Sequence, residues 1–223
     1  MTKVIYLTFD DGPNEPYTSQ ILDLLAEYNA KATFFVIGKN VEKYPEVTKR
    51  IVLAGHAIGI HSYTHNPVKV ILGQLMEEIA LTEALIKKYT GVETKLYRSP
   101  WGITMPWLGT KLRAAGYALF HWDIMAHDWW QPSVEFISSH IVQRAFPGAV
   151  ILLHDGDQLN SGSRKNTIES LRIILKELIS SGYSFEVLPK ELAKSPKSLI
   201  VDNWKGIMYL VRNLKISGNK HGK

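Results

Sequence analysis

Short apolar runs alternate with amphipathic stretches from one end of the chain to the other. Val4–Thr8 is an unbroken apolar run of strand length, and Ala32–Ile37 is another, rich in the Thr, Phe and Val that suit a pleated surface. Between them, Ile21, Leu24, Leu25 and Tyr28 fall on one face of a helix over Tyr17–Tyr28. The pattern continues with a helix over Pro45–Ala54, where Pro45 occupies the first turn that tolerates it. Next come a strand at His56–Ile60, a helix at Leu75–Tyr89 and a strand at Lys95–Tyr97. A helix at Trp107–Ala115 stops at Gly116, and Tyr117–Trp122 reads as a fifth strand. A helix at Val134–Ala145, a strand at Ala149–Leu153, a helix at Asn166–Ser181 stopped by Gly182, and a strand at Ser184–Leu188 complete the series. About seven β-α alternations with fully apolar strands predict a parallel sheet covered by helices. Beyond Leu192 the pattern loosens into a Lys-rich extension over 193–223. Its Leu199–Val201 and Met208–Val211 runs are expected to pack on the body, with a frayed end.

A chain of 223 residues with this regularity is expected to form one large domain over 1–192, of the size that barrels commonly reach. Hydrophobic residues at 45% and charged residues at 21% exclude a disordered chain. Cysteine is absent, which removes disulfides, thiolate metal sites and cysteine nucleophiles. The net charge of +5 is spread along the chain, so no nucleic-acid partner is expected. No run approaches the roughly 18 apolar residues of a membrane span, so no integral membrane contact is expected. The opening apolar run, Val4-Ile5-Tyr6-Leu7, is shorter than a signal peptide requires. As it stands the sequence reads as cytoplasmic, unless an export signal lies outside it.

The candidate chemistry lies just after the strands. Asp10 and Asp11 follow the first, His61 and His65 the third, Arg98 the fourth, Asp128 the fifth and His154 the sixth. In a parallel barrel the C-terminal strand ends share one rim, so these groups converge on one pocket. The His61-x-x-x-His65 spacing places two imidazoles on one face of a helical turn, where they can grip one metal ion. With an Asp from the first strand end they make a catalytic zinc set with an open position for water. One of the adjacent carboxylates then binds metal while the other acts on water. Such neighbours are poorly placed to flank a glycosidic bond. Taken singly, Asp11-Gly12-Pro13 reads as a turn, Arg98 as a surface cation and His154 as a core histidine; together they do not.

Thr8-Phe9-Asp10-Asp11-Gly12-Pro13, His61-Ser62-Tyr63-Thr64-His65, Arg98-Ser99-Pro100-Trp101-Gly102, Asp128-Trp129 and Leu152-Leu153-His154 stand in the order of the polysaccharide deacetylases. The chain thus resembles the NodB-homology proteins of carbohydrate esterase family four, from about Lys3 to Leu192. The resemblance implies a distorted (β/α) barrel of about seven strands, like a TIM barrel, with its site at the C-terminal strand ends. It implies one divalent metal, zinc first and Co2+, Ni2+ or Mn2+ as alternatives, held by Asp11, His61 and His65. It makes Asp10 the general base, braced by Arg98, and His154 the general acid, oriented by Asp128. Trp129 and Leu152 would line the acetyl pocket. Pro100 and Trp101 would contact substrate, with the Trp101 N–H facing the oxyanion. The implied reaction removes N-acetyl groups from an amino-sugar glycan, peptidoglycan or chitin oligomers. The alternatives are an O-acetyl esterase, a hydrolase of small acetylated amides, and a non-catalytic carbohydrate-binding relative. The expected partner is the glycan alone, bound by a monomer, and the family usually works at the cell wall or outside the cell. Two departures stand out: RSPWG replaces the commoner RPPYG, and Met125 stands where a second acidic residue is frequent, with Asp123 nearby as a substitute. His56 reads as structural, and His121, His127, His140 and His221 receive no role. Trp101, Trp107, Trp129 and Trp130 are expected to divide between a sugar platform and the core.

Overall fold

The first strand, β1 (Lys3–Asp10), sits at the centre of a parallel sheet and explains how the molecule is layered. Its alternate residues Ile5, Leu7 and Phe9 are wholly buried, and they belong to the large apolar layer between sheet and helices. Tyr6 instead joins a second, smaller cluster with Phe35, Phe120, Val150 and Leu188 on the other face of the sheet, inside its curl. A computed structural model describes residues 3–66, 68–69, 72, 74–103, 106–157 and 162–193. The 193–223 extension, with its two apolar runs and His221, lies outside the described residues beyond Ala193.

The other strands are β2 (Ala32–Val36), β3 (Ala57–Ile60), β4 (Leu96–Tyr97), β5 (Ala118–Leu119), β6 (Ile124–Met125), β7 (Val150–His154) and β8 (Tyr183–Phe185). Seven of them run in the order β5-β4-β3-β2-β1-β7-β6, and β8 pairs with the foot of β1 over Lys3–Ile5. Every pairing is parallel. The result is a curled α/β half-barrel, the distorted barrel expected.

One element differs from the sequence reading. The apolar run Tyr117–Trp122 is not one strand. β5 ends at Leu119 on one edge of the sheet and β6 begins at Ile124 on the opposite edge, so Phe120–Asp123 crosses the seam of the barrel. Two contacts break the run. Phe120 buries in the inner cluster, and the Asp123 carboxylate accepts the Val150 N–H at 2.9 Å, starting a new pairing beside β7.

The described helices are α1 (Tyr17–Glu27), α2 (Gly38–Lys43), α3 (Pro45–Leu53), α4 (Leu75–Thr90), α5 (Pro106–Ala114), α6 (Val134–Arg144) and α7 (Lys165–Ser180). They form where the 3.6-residue period predicts. In α7, Leu171, Ile174, Leu175 and Leu178 are buried against the sheet, each contributing about 1.5–3 kcal/mol relative to exposure. Ser133 caps α6 by accepting the Phe136 N–H, and Gly91 closes α4 in the left-handed conformation at φ 74°. The exception is α2: its six residues carry no apolar period and were not legible as a helix. Among the described residues no helix is long and apolar enough to cross a membrane.

Candidate active site

Every strand-end residue singled out from the sequence lies at the C-terminal rim, and a pocket of about 340 Å³ opens there. Asp10 is the last residue of β1 and His154 the last of β7, and the parallel ladder sets them side by side. His61 follows β3, Arg98 follows β4, and Asp128 opens a short 3-10 turn after β6. Asp10, Asp11, His61, His65, Trp101, Met125, Trp129, Leu152 and His154 all line the pocket.

At its floor, Asp11 Oδ1 lies 3.4 Å from His61 Nε2 and 3.3 Å from His65 Nε2. The three donor atoms lie within 4.8 Å of one another, and Asp11 Oδ1 is buried without a hydrogen-bond partner. Buried carboxylate oxygens are ordinarily paired, so this triad has the form of a metal-binding site. Burial, with the His65 charge adding to it, holds His61 down to about pKa 3, so its ring is neutral as a ligand must be. Its Nδ1 sits 2.9 Å from the Arg98 carbonyl, which fixes the tautomer and leaves Nε2 facing Asp11.

The histidine pair is not on a helical turn, as its spacing had led us to expect. Residues 61–65 form a loop in which Ser62 (φ 63°) and His65 (φ 57°) adopt left-handed backbone, bringing the rings to a centroid distance of 5.0 Å. The loop is held from two sides. The first N–H groups of α2 donate to it, Gly38 to the Ser62 carbonyl and Lys39 to the Tyr63 carbonyl. A Cβ on Gly38 would come within 2.4 Å of the Tyr63 ring, so only glycine permits this approach. From the other side, the buried Glu78 carboxylate of α4 accepts the Tyr63 and Thr64 N–H groups and the Thr64 hydroxyl. Glu78 was missed by sequence reasoning, because a Glu inside an amphipathic helix carries no local signal.

Asp10 is 3% exposed and Arg98 is fully buried. Arg98 Nη1 donates to Asp10 Oδ1 and to the Thr8 hydroxyl, both at 2.8 Å, while Nη2 reaches the His121 carbonyl on the seam segment at 3.1 Å. Burial raises the Asp10 carboxyl above the usual range, and the Arg98, His154 and His65 charges pull against it. Burial outweighs those charges, and the carboxylate is more basic than one in water.

His154 Nδ1 lies 2.8 Å from Asp128 Oδ1. Asp128 Oδ2 accepts the His154 backbone N–H and the Thr167 hydroxyl, each at 2.9 Å. Burial opposes the charge on His154, but the Asp128 carboxylate overrides it, and the imidazole is pushed up to about 9. Asp128 is held below its ordinary value by the same contact, against the cost of its own burial.

A model of the family described as polysaccharide deacetylase matches residues 1–120. The chain belongs to this family. Peptidoglycan-N-acetylglucosamine deacetylase from Bacillus cereus is 35% identical over 189 residues, which cover 83% of this chain and 66% of that one. Chitooligosaccharide deacetylase from Rhizobium leguminosarum bv. trifolii is 37% identical over 195 residues, covering 83% of this chain and 90% of that one. Among solved structures, the polysaccharide deacetylase Bc1974 from Bacillus cereus matches with a TM-score of 0.76 at 34% identity. It covers 85% of this chain and 94% of that chain.

Other features of this family member were only partly foreseen. Trp101 sits at φ 60° with its ring 5.2 Å from His65, and Trp129 packs edge-on to His154 at 5.0 Å. Pro100 is buried and does not line the pocket; it begins the 3-10 turn that carries Trp101. Trp107 packs against the main core, and Trp122, not anticipated, lines the pocket. Met125 also lines the pocket, whereas Asp123 is committed to the Val150 N–H and does not take a place beside His154. His56 Nδ1 accepts the Ala32 N–H, and burial lowers its pKa to about 4, in keeping with a structural role. Asp155 was overlooked entirely. It is fully buried and accepts the Gly12 N–H at 3.0 Å and the Thr18 hydroxyl at 2.7 Å, clamping the loop after Asp11. Its carboxyl is raised to about 7, chiefly by burial.

Proposed function

We propose that the chain is a metal-dependent deacetylase that hydrolyses N-acetyl groups of an amino-sugar glycan, peptidoglycan or chitin oligomers, to acetate and a free amine. The observation that carries this reading is the pairing of Asp10 with His154 across adjacent strands, beside a three-donor cluster at the floor of one pocket. Asp11, His61 and His65 would hold a divalent cation, and the unpartnered Asp11 Oδ1 supports that fit. Two imidazoles and a carboxylate with room for water suit zinc. Such a cation supplies Lewis acidity, polarising the acetyl carbonyl and making water easier to ionise.

The chain's own residues do the rest. Asp10 takes the proton of the attacking water at Oδ2, while Oδ1 stays bonded to Arg98. The backbone N–H of Trp101 donates to the oxygen on which charge develops. His154, protonated because Asp128 holds it so, gives its proton from Nε2 to the leaving nitrogen. An amide needs that proton, because an amine anion is a poor leaving group. Trp129 and Leu152 form the apolar wall for the acetyl methyl.

The test measures acetate released from chitin oligomers, peptidoglycan, acetylxylan and small acetamides by one zinc-loaded preparation. Release from the first two at the higher kcat/KM is expected. Turnover of acetylxylan or acetamides alone would overturn the substrate assignment.

A further inference from the structure

A pocket of about 340 Å³ is at the small end of ligand sites, so the remainder of any longer glycan lies on the surface beside it. The surface beside Trp129 has a particular construction. His127 and Gln131, both left-handed at φ 53° and 54°, bracket the 3-10 turn Asp128–Trp130. The turn aims Trp129 inward onto His154 and leaves Trp130 outward, 74% exposed. His127 stacks on Trp130 at 5.1 Å and 11°, and Trp129 meets it edge-on at 5.7 Å. An indole this exposed, with a ring on one face, presents its other face to water.

An isolated exposed tryptophan is unremarkable. This one is fixed in orientation by two aromatic neighbours, and one of those neighbours is itself a wall of the pocket. The spacing from Trp129 to Trp130 is comparable with one sugar residue. We propose that the open face of Trp130, backed by His127, is an outlying subsite that stacks the C–H face of a further pyranose ring of the same glycan. The inference rests on the deacetylase reading and deepens it: the preferred substrate is an oligosaccharide longer than the catalytic pocket.

The rings suit this ligand because a pyranose buries its C–H face on an aromatic plane while its hydroxyls remain in water. Truncating such an aromatic anchor costs roughly tenfold in affinity. The experiment compares Trp130→Ala and Trp130→Phe with the unchanged chain on chitobiose and chitopentaose, reading kcat and KM from acetate release. Binding of chitopentaose to the Asp10→Asn variant, with and without Trp130→Ala, is measured by calorimetry. Trp130→Ala should raise KM for the pentamer by roughly tenfold, leave its kcat and all dimer kinetics unchanged, and weaken pentamer binding by the same factor. Trp130→Phe should recover most of the loss. Unchanged pentamer KM and binding, or equal losses on dimer and pentamer, would overturn the subsite. Pentamer binding that depends on Trp130 in a protein that releases no acetate would uphold the subsite and refute the deacetylase reading instead. Absence of both turnover and binding would refute both.

Discussion

Substituting Asp128 with Asn separates the charge of this residue from its shape. In the native chain Asp128 accepts three hydrogen bonds, from His154 Nδ1, the His154 N–H and the Thr167 hydroxyl. An amide offers one oxygen and an NH2 group in the same space, so at least one buried donor loses its acceptor, at about 1–3 kcal/mol. The electrostatic effect is larger. His154 stands at about 9 because Asp128, helped by the Asp11 and Asp10 charges, outweighs burial. Losing its largest raising contribution should bring the imidazole back toward the ordinary value, a fall on the order of 2 pKa units, or about 3 kcal/mol between the two protonation states. At pH about 7.5 the charged fraction of His154 drops from nearly all to a minority. An NMR titration of the imidazole in metal-free protein should therefore find His154 near 9 natively and on the order of 2 units lower in Asp128→Asn. The basic limb of kcat/KM on an N-acetyl substrate should move down in pH by a comparable interval. Because the folded pKa lies above the unfolded one, the contribution of His154 to stability is full below 6.5 and is lost as pH rises through about 9. The variant's stability deficit should accordingly be greatest at and below pH about 6.5 and shrink as pH rises toward 9. An unchanged His154 pKa in Asp128→Asn would refute the reasoning.

The two adjacent carboxylates should part company. Asp10→Asn should keep its metal, by elemental analysis, yet lose about 10²–10⁴ in rate, whereas Asp11→Asn, His61→Ala and His65→Ala should lose metal and activity together. Full metal retention in both histidine variants would remove them from the ligand set. Arg98→Met leaves a buried Asp10 carboxylate without its cation. It should cost roughly 3–5 kcal/mol in denaturant unfolding and move the acidic limb of kcat/KM upward. Gly12→Ala places a Cβ 1.9 Å from the Asp155 carboxylate. It should lower Tm by an amount equivalent to about 1–3 kcal/mol, and an unchanged Tm would mean that the clamp yields freely.

Much of this arrangement was legible in the chain because two periodicities do different work. Strand runs such as Val4–Thr8 and helices such as Tyr17–Tyr28 declared themselves by what they bury, and the placement of Asp10, His61, Arg98 and His154 followed from where strands end. The parts that stayed hidden are fixed by contacts distant in sequence. Nothing local in Tyr117–Trp122 says that Phe120 will turn inward and Asp123 will reach Val150. The loop that carries His61 and His65 takes its shape from α2 and Glu78, and a short polar helix and a helical Glu are individually unremarkable. Asp155 escaped notice beside the motif histidine because its partners, Gly12 and Thr18, lie on the far side of the sequence.

The ladder between β1 and β7 sets Asp10 against His154, and its consequence reaches beyond a single reaction. In the proposed reaction the residue that receives a proton and the residue that returns one are set in register by backbone hydrogen bonds between two strands, while Arg98 and Asp128 aim their side chains from beyond that ladder. The loops bearing Trp101 and Trp129 hang from strand ends outside that ladder. Changing Trp101 or Trp129 therefore alters what the groove accepts while the register of Asp10 and His154 stays, provided that Asp128, in the same turn as Trp129, is kept. A protein engineer seeking a new sugar preference should vary these loops around a retained Asp128 and leave both strands untouched. A one-residue slip of β7 against β1 would turn His154 to the helix side and abolish the chemistry at a stroke.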